Sequence, residues 1–212
     1  MLKRITLSFI ISMTLAVATL FSQSTDEFNL DQTYAIDFEG TIHLQSDDAE
    51  VQIIGSDRED VRVNVNYELT VRGITFGESN DFEMIVEEDD GNLVMDGGNG
   101  QLKIDTDDGD IQIRNGSFAF IEASSDDSDI EVTTALFDDG DYRFDLDDAD
   151  LMFNVVAGGG EINIRHDDSD ISTSPQFESV RDEDEHSIYR LPGGTASVNI
   201  RSDDGDINLR VY

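Results

Sequence analysis

Short runs of alternating apolar and polar residues occupy most of the chain. Leu102-Lys103-Ile104-Asp105, Ile162-Asn163-Ile164-Arg165 and Val198-Asn199-Ile200-Arg201 are three of them. Strict alternation is typical of a β-strand with one apolar face and one solvated face. The runs are rich in Ile, Val, Phe and Thr and are separated by Asp, Asn, Gly and Ser, so the pattern predicts an all-β protein.

The alternation changes phase at a recurring acidic motif. Leu102 and Ile104 occupy even positions, whereas Ile111 and Ile113 occupy odd ones, and Asp107-Asp108-Gly109-Asp110 lies between them. A chain that keeps its apolar residues inward must turn or bulge at such a point. The motif therefore predicts a corner between two strands.

The third residue of the motif is always small. Glycine would allow a positive φ, but Ala49, Ser128, Ala149 and Ser169 stand at equivalent positions and would be strained there. Tight stacking between neighbouring copies explains Gly, Ala and Ser equally well. We therefore favour stacking as the reason for the small residue.

The acidic motif recurs seven times along the chain. Its copies begin at Asp47, Asp89, Asp107, Asp126, Asp147, Asp167 and Asp203. The intervals from Asp89 to Asp167 are 18, 19, 21 and 20 residues, and the flanking gaps of 42 and 36 residues each correspond to about two such steps. A fixed period of this size is the signature of a repeat architecture.

The period predicts a parallel β-solenoid with coils of about 20 residues, in which each coil buries its aliphatic residues against its neighbours. An antiparallel β-sandwich is the alternative. The steady period and the scarcity of two-residue hairpin turns of the Asn-Gly kind favour the solenoid.

The first 24 residues have the pattern of a secretory signal peptide: Lys3 and Arg4, an apolar run from Ile5 to Phe21, and then small residues. An uncleaved membrane anchor is the alternative. Residues 25–212 are expected to form a single acidic solenoid domain in an exported protein, at the periplasm, the cell surface or outside the cell. The chain has no cysteine, which excludes a lipoprotein anchor and disulfides.

The Gly-rich lead, the alternating strand and the terminal Asp-Gly-Asp-Ile of segments such as Gly193 to Ile207 resemble bacterial adhesin-like families. These are the domain-of-unknown-function 4097 group and the auto-transporter adhesin head domain. The resemblance covers about residues 35–211. It implies a right-handed β-helix at a bacterial cell envelope with no established catalytic residues. This chain departs from the family pattern by carrying a second acid in the motif.

The chain contains 48 acidic and 13 basic residues, a net charge of −35. In a solenoid, equivalent aspartates stack about 4.8 Å apart, and two unit charges at that separation repel by about 0.9 kcal/mol in bulk water. Salt could screen the column, Ca²⁺ could bridge it, or some carboxyl groups could be protonated. An acidic, lysine-poor surface is also typical of adaptation to high salt.

Twelve aspartates are the candidate Ca²⁺ ligands. They are Asp107, Asp108, Asp110, Asp126, Asp127, Asp129, Asp147, Asp148, Asp150, Asp167, Asp168 and Asp170. Neither the EF-hand spacing nor the glycine-rich nonapeptide spacing is present. A solvated acidic column is therefore the preferred interpretation, and specific Ca²⁺ sites are the alternative.

The composition indicates a binding or structural module rather than an enzyme. His43, His166 and His186 are scattered, and seven equivalent acidic motifs indicate structure, because an active site is normally a single break in a repeat. The net charge excludes nucleic acid and anionic membranes as direct partners. We expect a protein or polysaccharide partner at the cell surface, with end-to-end self-association possible through open strand edges.

The alternative function is a Ca²⁺-dependent enzyme acting on an envelope or extracellular polysaccharide. Its site would lie near one of two irregular segments, residues 73–81 or 174–190, where the repeat is interrupted.

Overall fold

The computed structural model describes residues 6–10, 30–35, 41–46, 50–55, 59–65, 68–74, 83–88 and 91–212. These residues form 19 β-strands and no helix, which confirms the all-β prediction. The strands are β1 (Thr6–Ile10), β2 (Leu30–Ala35), β3 (Thr41–Ser46), β4 (Glu50–Gly55), β5 (Glu59–Val65), β6 (Glu68–Ile74), β7 (Glu83–Glu88), β8 (Leu93–Asp96), β9 (Asn99–Thr106), β10 (Ile111–Ser125), β11 (Ile130–Ala135), β12 (Asp141–Leu146), β13 (Leu151–Ala157), β14 (Gly160–His166), β15 (Ile171–Thr173), β16 (Glu178–Glu183), β17 (His186–Leu191), β18 (Ala196–Ser202) and β19 (Ile207–Val211). Nothing in these ranges is a helix long and apolar enough to cross a membrane.

The strands pair into two sheets that share β10. Sheet 1 has the spatial order β1, β3, β7, β9, β10, β12, β18, β14, β17, β16. Sheet 2 has the order β2, β5, β6, β4, β8, β10, β11, β13, β19, β15. Most pairings are parallel, so the fold is solenoid-like, and the antiparallel sandwich is not what the described residues form.

Each acidic corner from Asp107 onward leads from a strand of sheet 1 to a strand of sheet 2. Ile111, which follows one corner, pairs with Leu93 on one side and Ile130 on the other, and Ile130 pairs with Leu151. These partners follow consecutive copies of the motif. The predicted stacking of equivalent positions is therefore present in this part of the chain.

The two longer gaps do not contain the extra coils that their lengths suggested. The 42-residue gap contains β5 and β6, which pair antiparallel next to the edge strand β2 of sheet 2. As a result β3 pairs directly with β7, and β4 directly with β8. The 36-residue gap contains the antiparallel hairpin of β16 and β17.

The last repeat in the sequence is not the last in space. β18 lies between β12 and β14, and β19 lies between β13 and β15. Asp147 and Asp167 are consecutive in the sequence of motifs but do not lie in neighbouring coils, because the Asp203 corner separates them. The end of sheet 1 is formed by β16, whose six residues are all exposed and include charged side chains. A charged edge strand of this kind discourages pairing with another chain.

The core lies between the two sheets and consists of the inward residues of the alternating runs. Leu102, Ile104, Ile111 and Ile113 are each at most 3% exposed. The largest buried side chains form an aromatic group in the middle of the stack. The Phe153 ring packs in edge-to-face geometry against the rings of Tyr142 and Phe144, with centroid distances of 6.4 and 5.4 Å.

Three sequence predictions concern the N-terminal segment and the two segments where the repeat is interrupted. β1 falls within the predicted signal peptide, so cleavage of residues 1–24 stays a prediction. Gly73 and Ile74, predicted to start a loop, instead end β6, and residues 75–81 lie outside the described ranges. Residues 174–190 were predicted to be irregular, but most of them form the hairpin.

Candidate functional site: the acidic corners and the outer face of sheet 1

The corners owe their geometry to two consecutive outward aspartates. Between inward Thr106 and inward Ile111, Asp107 and Asp108 are exposed, the small residue Gly109 is buried, and the fourth residue is exposed. The pair of exposed residues produces the phase change that the sequence predicted. The same order of exposed and buried positions occurs in the corners that begin at Asp126 and Asp147.

Backbone hydrogen bonds join each corner to the next. The N–H of Asp127 donates to the carbonyl of Asp107 at 2.9 Å, and the N–H of Asp148 donates to Asp126 at 2.8 Å. On the sheet 2 side, the N–H of Ile111 donates to the carbonyl of Asp129 at 2.9 Å. The corners therefore form one continuous column, which we call the acidic column.

The buried third residue is small because the next corner fills its space. A Cβ on Gly109 would lie 1.7 Å from the carbonyl oxygen of Gly91, and Gly109 has no positive φ. Gly205 has a φ of +101° and its added Cβ would lie 2.4 Å from the carbonyl oxygen of Ala149, so both explanations apply there. The Ser128 hydroxyl donates to the carbonyl of Asp107 at 3.0 Å. Stacking thus accounts for the small residue at Gly109.

The fourth residue has a structural role of its own. The N–H of Asp206 donates to the Asp150 carboxylate at 2.6 Å, and the N–H of Asp110 donates to the Asn92 side-chain oxygen at 2.9 Å. In both cases a side-chain oxygen accepts from the main chain of the neighbouring corner. Because Asn and Asp supply the same acceptor, the charge at this position is not required for the hydrogen bond.

The carboxylates of the column repel one another. The pKa of Asp147 is raised by desolvation and by the charges of Asp203 and its other acidic neighbours. The pKa of Asp204 is raised by desolvation and then by the charge of Asp148, to which it is also hydrogen-bonded. Desolvation and Asp107 likewise raise the pKa of Asp105. The ionised column therefore opposes folding.

The twelve predicted metal ligands all lie in this column, but in separate rows. The first and second aspartates form its outer ridge, and the fourth ones, such as Asp110 and Asp150, lie on the sheet 2 side. Among the residues that the structure describes, no three His, Asp or Glu side chains are placed to hold one metal ion. Specific Ca²⁺ binding stays a prediction.

The three histidines lie in different settings. His43 lies on β3 with its Nε2 3.2 Å from a Glu87 carboxylate oxygen. His186 lies on β17, and its Nε2 is 3.0 Å from the Asn163 side-chain oxygen. His166 ends β14, and both of its ring nitrogens are buried without a hydrogen-bond partner.

The outer face of sheet 1 bears a shallow groove of about 530 Å³ where β10, β12, β18 and β14 run side by side. We call it the Arg–Asn groove. Its outward-facing residues are Glu122, Ser124, Arg143, Asp145, Asn163, Arg165, Asn199 and Arg201. Buried residues such as Phe144 and Ile200 form its floor.

Strand register places like side chains beside one another in this groove. Asn163 of β14 pairs with Asn199 of β18, and Arg165 pairs with Arg201. Arg143 lies beside Asn199 on the next strand. Three arginines are thus gathered on one face of a chain that has 48 acids and 13 bases.

The sequence pattern alone did not predict the groove residues as a site, although it contains a signal for them. The runs from Ile162 and from Val198 both carry Asn and then Arg at their outward positions. Only the pairing of β14 with β18 brings these residues together. Their separation in sequence, with a hairpin between them, hid the pairing.

Comparison with known families identifies the chain. A family model described as Toastrack DUF4097 matches residues 82–210, more than half of the chain. The chain belongs to this family. The predicted relationship to the domain-of-unknown-function 4097 group is thereby confirmed, and no curated protein matches the chain.

One solved structure similar to this Toastrack DUF4097 member is a "putative cell adhesion protein" from Clostridium sporogenes ATCC 15579. The two share 9% sequence identity with a TM-score of 0.47, and the match covers 87% of this chain and 100% of the other.

Proposed function

We propose that this protein is an exported, non-enzymatic, adhesin-like module that binds a polysaccharide or protein at the cell envelope through the outer face of sheet 1. The observation that carries the proposal is the Arg–Asn groove. It is open, lies on parallel strands in register, and presents donors and acceptors in regular rows about 4.8 Å apart.

The acidic column supports a structural rather than a catalytic use of the carboxylates. Its members recur at equivalent positions, and its fourth residues accept backbone hydrogen bonds. Catalytic carboxylates normally act as a pair in distinct environments. In the column, each corner repeats the environment of the next.

The finer features of the fold belong to the same proposal. We propose coils of about 20 residues, because register partners on sheet 2 are separated by 18, 19 and 21 residues where the motif is regular. A right-handed coil is proposed from the family resemblance. Export is proposed from the basic and apolar N-terminal segment. N-terminal sequencing of protein recovered from a bacterial host checks cleavage near residue 24.

Binding is tested with the full chain as purified from such a host, immobilised and exposed to envelope polysaccharides and surface proteins. Arg165→Glu on the groove is compared with Arg210→Glu on sheet 2. We expect retention by the wild type and the Arg210 variant and loss in the Arg165 variant. Retention that is unchanged by Arg165→Glu would refute the assignment to this face.

The same mixtures distinguish binding from turnover. New reducing ends or unsaturated sugar products, lost on chelation, would support the Ca²⁺-dependent enzyme instead. Unaltered polysaccharide, recovered at its original length after retention, is the result expected of a binding module.

A further inference from the structure

We infer that the Arg–Asn groove binds the carboxylate of an acidic saccharide, with Arg165 and Arg201 as the carboxylate-contacting residues. This inference rests on the proposed function, because it names the ligand class for the same face. It follows from the charge arrangement, the polar lining and the shape of the groove.

Two arginines lie side by side in the groove. Arg165 and Arg201 are register partners on adjacent strands, where like charges destabilise a sheet. Among the described residues Arg165 has no ion pair, and Arg201 reaches Asp203 at 3.7 Å and Asp145 at 4.0 Å, which exceed hydrogen-bond length. An anion placed between the two guanidinium groups would relieve their repulsion.

Other arginines of sheet 1, including the groove residue Arg143, have close acidic partners. Arg143 donates to the Asp141 carboxylate at 2.6 Å, and Arg181 donates to Glu183 at 2.5 Å. Acidic partners are thus available to arginines on this sheet. The guanidinium fork of arginine matches a carboxylate with two parallel hydrogen bonds, so a carboxylate ligand suits the unpaired fork of Arg165.

Two asparagines provide the polar lining of the groove. The Asn163 side-chain oxygen accepts a hydrogen bond from His186 Nε2 at 3.0 Å, and the Asn199 amide nitrogen donates to the Ser197 hydroxyl at 3.1 Å. Asn163 and Asn199 are register partners, and these bonds leave the amide nitrogen of Asn163 as a donor and the side-chain oxygen of Asn199 as an acceptor for a ligand. Sugar hydroxyls both donate and accept, so they need this combination.

The floor and rim of the groove favour a saccharide over an acidic peptide. Phe144 and Ile200 are each 2% exposed beneath the polar residues. The neighbouring Phe120 ring is covered by the Arg143 guanidinium, 5.9 Å from its centroid. Tight protein contacts are usually centred on an aromatic or apolar anchor in a pocket, and the groove offers none in its described lining.

The net charge of −35 sets the conditions for binding. At a salt concentration of about 0.15 M the Debye length is about 8 Å, so the more distant acids are largely screened. Direct contacts with Arg165 and Arg201 lie within that length. The lining of the groove itself has three arginines against two acids, Glu122 and Asp145, so the ligand's carboxylate is attracted locally even though the whole protein is acidic.

The test is isothermal titration of the full chain with tetragalacturonate at about 0.15 M salt. The control ligand is the same oligosaccharide with every carboxyl group reduced to an alcohol. Arg165→Gln and Arg201→Gln are compared with Arg210→Gln on sheet 2, and a thermal melt verifies that each variant is folded. Loss of a charge-assisted contact is expected to weaken tetragalacturonate binding about tenfold or more in the two groove variants.

We expect the Arg210 variant to bind as the wild type does, and the reduced oligosaccharide to bind about tenfold or more weakly. Equal affinity for the reduced oligosaccharide would overturn the carboxylate assignment. Binding of hexaglutamate through the same arginines, with no binding of tetragalacturonate, would replace the saccharide by an acidic peptide.

The failure of this inference is distinguishable from that of the proposed function. If envelope material is retained by the groove while tetragalacturonate is not, the inference is overturned and the binding module stands. If the wild-type chain retains neither polysaccharide nor protein, both are overturned.

Discussion

Replacement of Gly109 by alanine tests the stacking of the acidic corners. The added Cβ would lie 1.7 Å from the carbonyl oxygen of Gly91 and 2.6 Å from its carbonyl carbon. An ordinary van der Waals contact is about twice as long as the distance from this Cβ to the Gly91 oxygen. The two corners must therefore move apart by more than an ångström. The clash is with backbone and no rotamer change relieves it.

The separation would disturb two hydrogen bonds between the corners. The N–H of Leu93 donates to the carbonyl of Asp110, and the N–H of Asp110 donates to Asn92, both at 2.9 Å. Overpacking costs about 1–3 kcal/mol, and each weakened bond costs about 1 kcal/mol more. We expect Gly109→Ala to lower the free energy of unfolding by about 3 kcal/mol or more, which is about 6–12 °C in melting temperature for a domain of this size.

Ser128→Ala is the matched control, because it places the same residue at the same position of the adjacent corner. Its Cβ already exists, so only the bond from the Ser128 hydroxyl to Asp107 is lost, at about 1 kcal/mol. The assay is thermal melting followed by far-ultraviolet circular dichroism. If Gly109→Ala lowers the melting temperature no more than Ser128→Ala does, the corners are not in contact and the stacking account is wrong.

Three further predictions concern the column and the core. The raised pKa values of Asp147 and Asp204 predict that, at low ionic strength, the melting temperature rises as pH falls from about 7 toward about 4, since the folded chain then binds more protons than the unfolded chain. Asp150→Asn should leave stability unchanged or slightly raised, whereas Asp150→Ala should lose about 0.5–1.5 kcal/mol, because only the first keeps the acceptor for the backbone N–H. Tyr142→Phe should lose about 1–3 kcal/mol in urea unfolding, because the buried hydroxyl donates to the Phe118 carbonyl at 2.8 Å.

Each prediction has a result that would contradict it. A melting temperature that falls steadily on mild acidification would mean that carboxylate repulsion is not significant; molar NaCl serves as the control that should flatten the pH dependence. Equal destabilisation by both Asp150 variants would make the charge, rather than the acceptor, the important feature. Wild-type stability in Tyr142→Phe would show that the hydroxyl has no net role.

Local sequence pattern predicted those features that depend on neighbouring residues. The phase change around Asp107 and Asp108 predicted the corner, and the small residue at 109 predicted close stacking. The inward set of Leu102, Ile104 and Ile111 follows directly from alternation. In each case the controlling interactions involve residues within one or two repeats.

The order of the coils could not be predicted in the same way. β18 and β14 carry nearly the same outward and inward residues, so each fits beside β12 by its local chemistry. What decides between them is the hairpin of β16 and β17, which pairs with β14 and forms the end of sheet 1. This is a long-range pairing, and so is that of β14 with β18, which creates the Arg–Asn groove by placing Arg201 beside Arg165.

The most direct test of the acidic column as a stacked structural element, rather than a metal site, is one set of thermal melts of the full chain. The conditions are low salt with chelator, low salt with millimolar Ca²⁺, and molar NaCl with chelator. The account predicts a large rise in melting temperature in molar NaCl, where the Debye length is about 3 Å, and only a small rise with Ca²⁺. A rise of many degrees with millimolar Ca²⁺ alone would contradict it and would make the column a specific metal site.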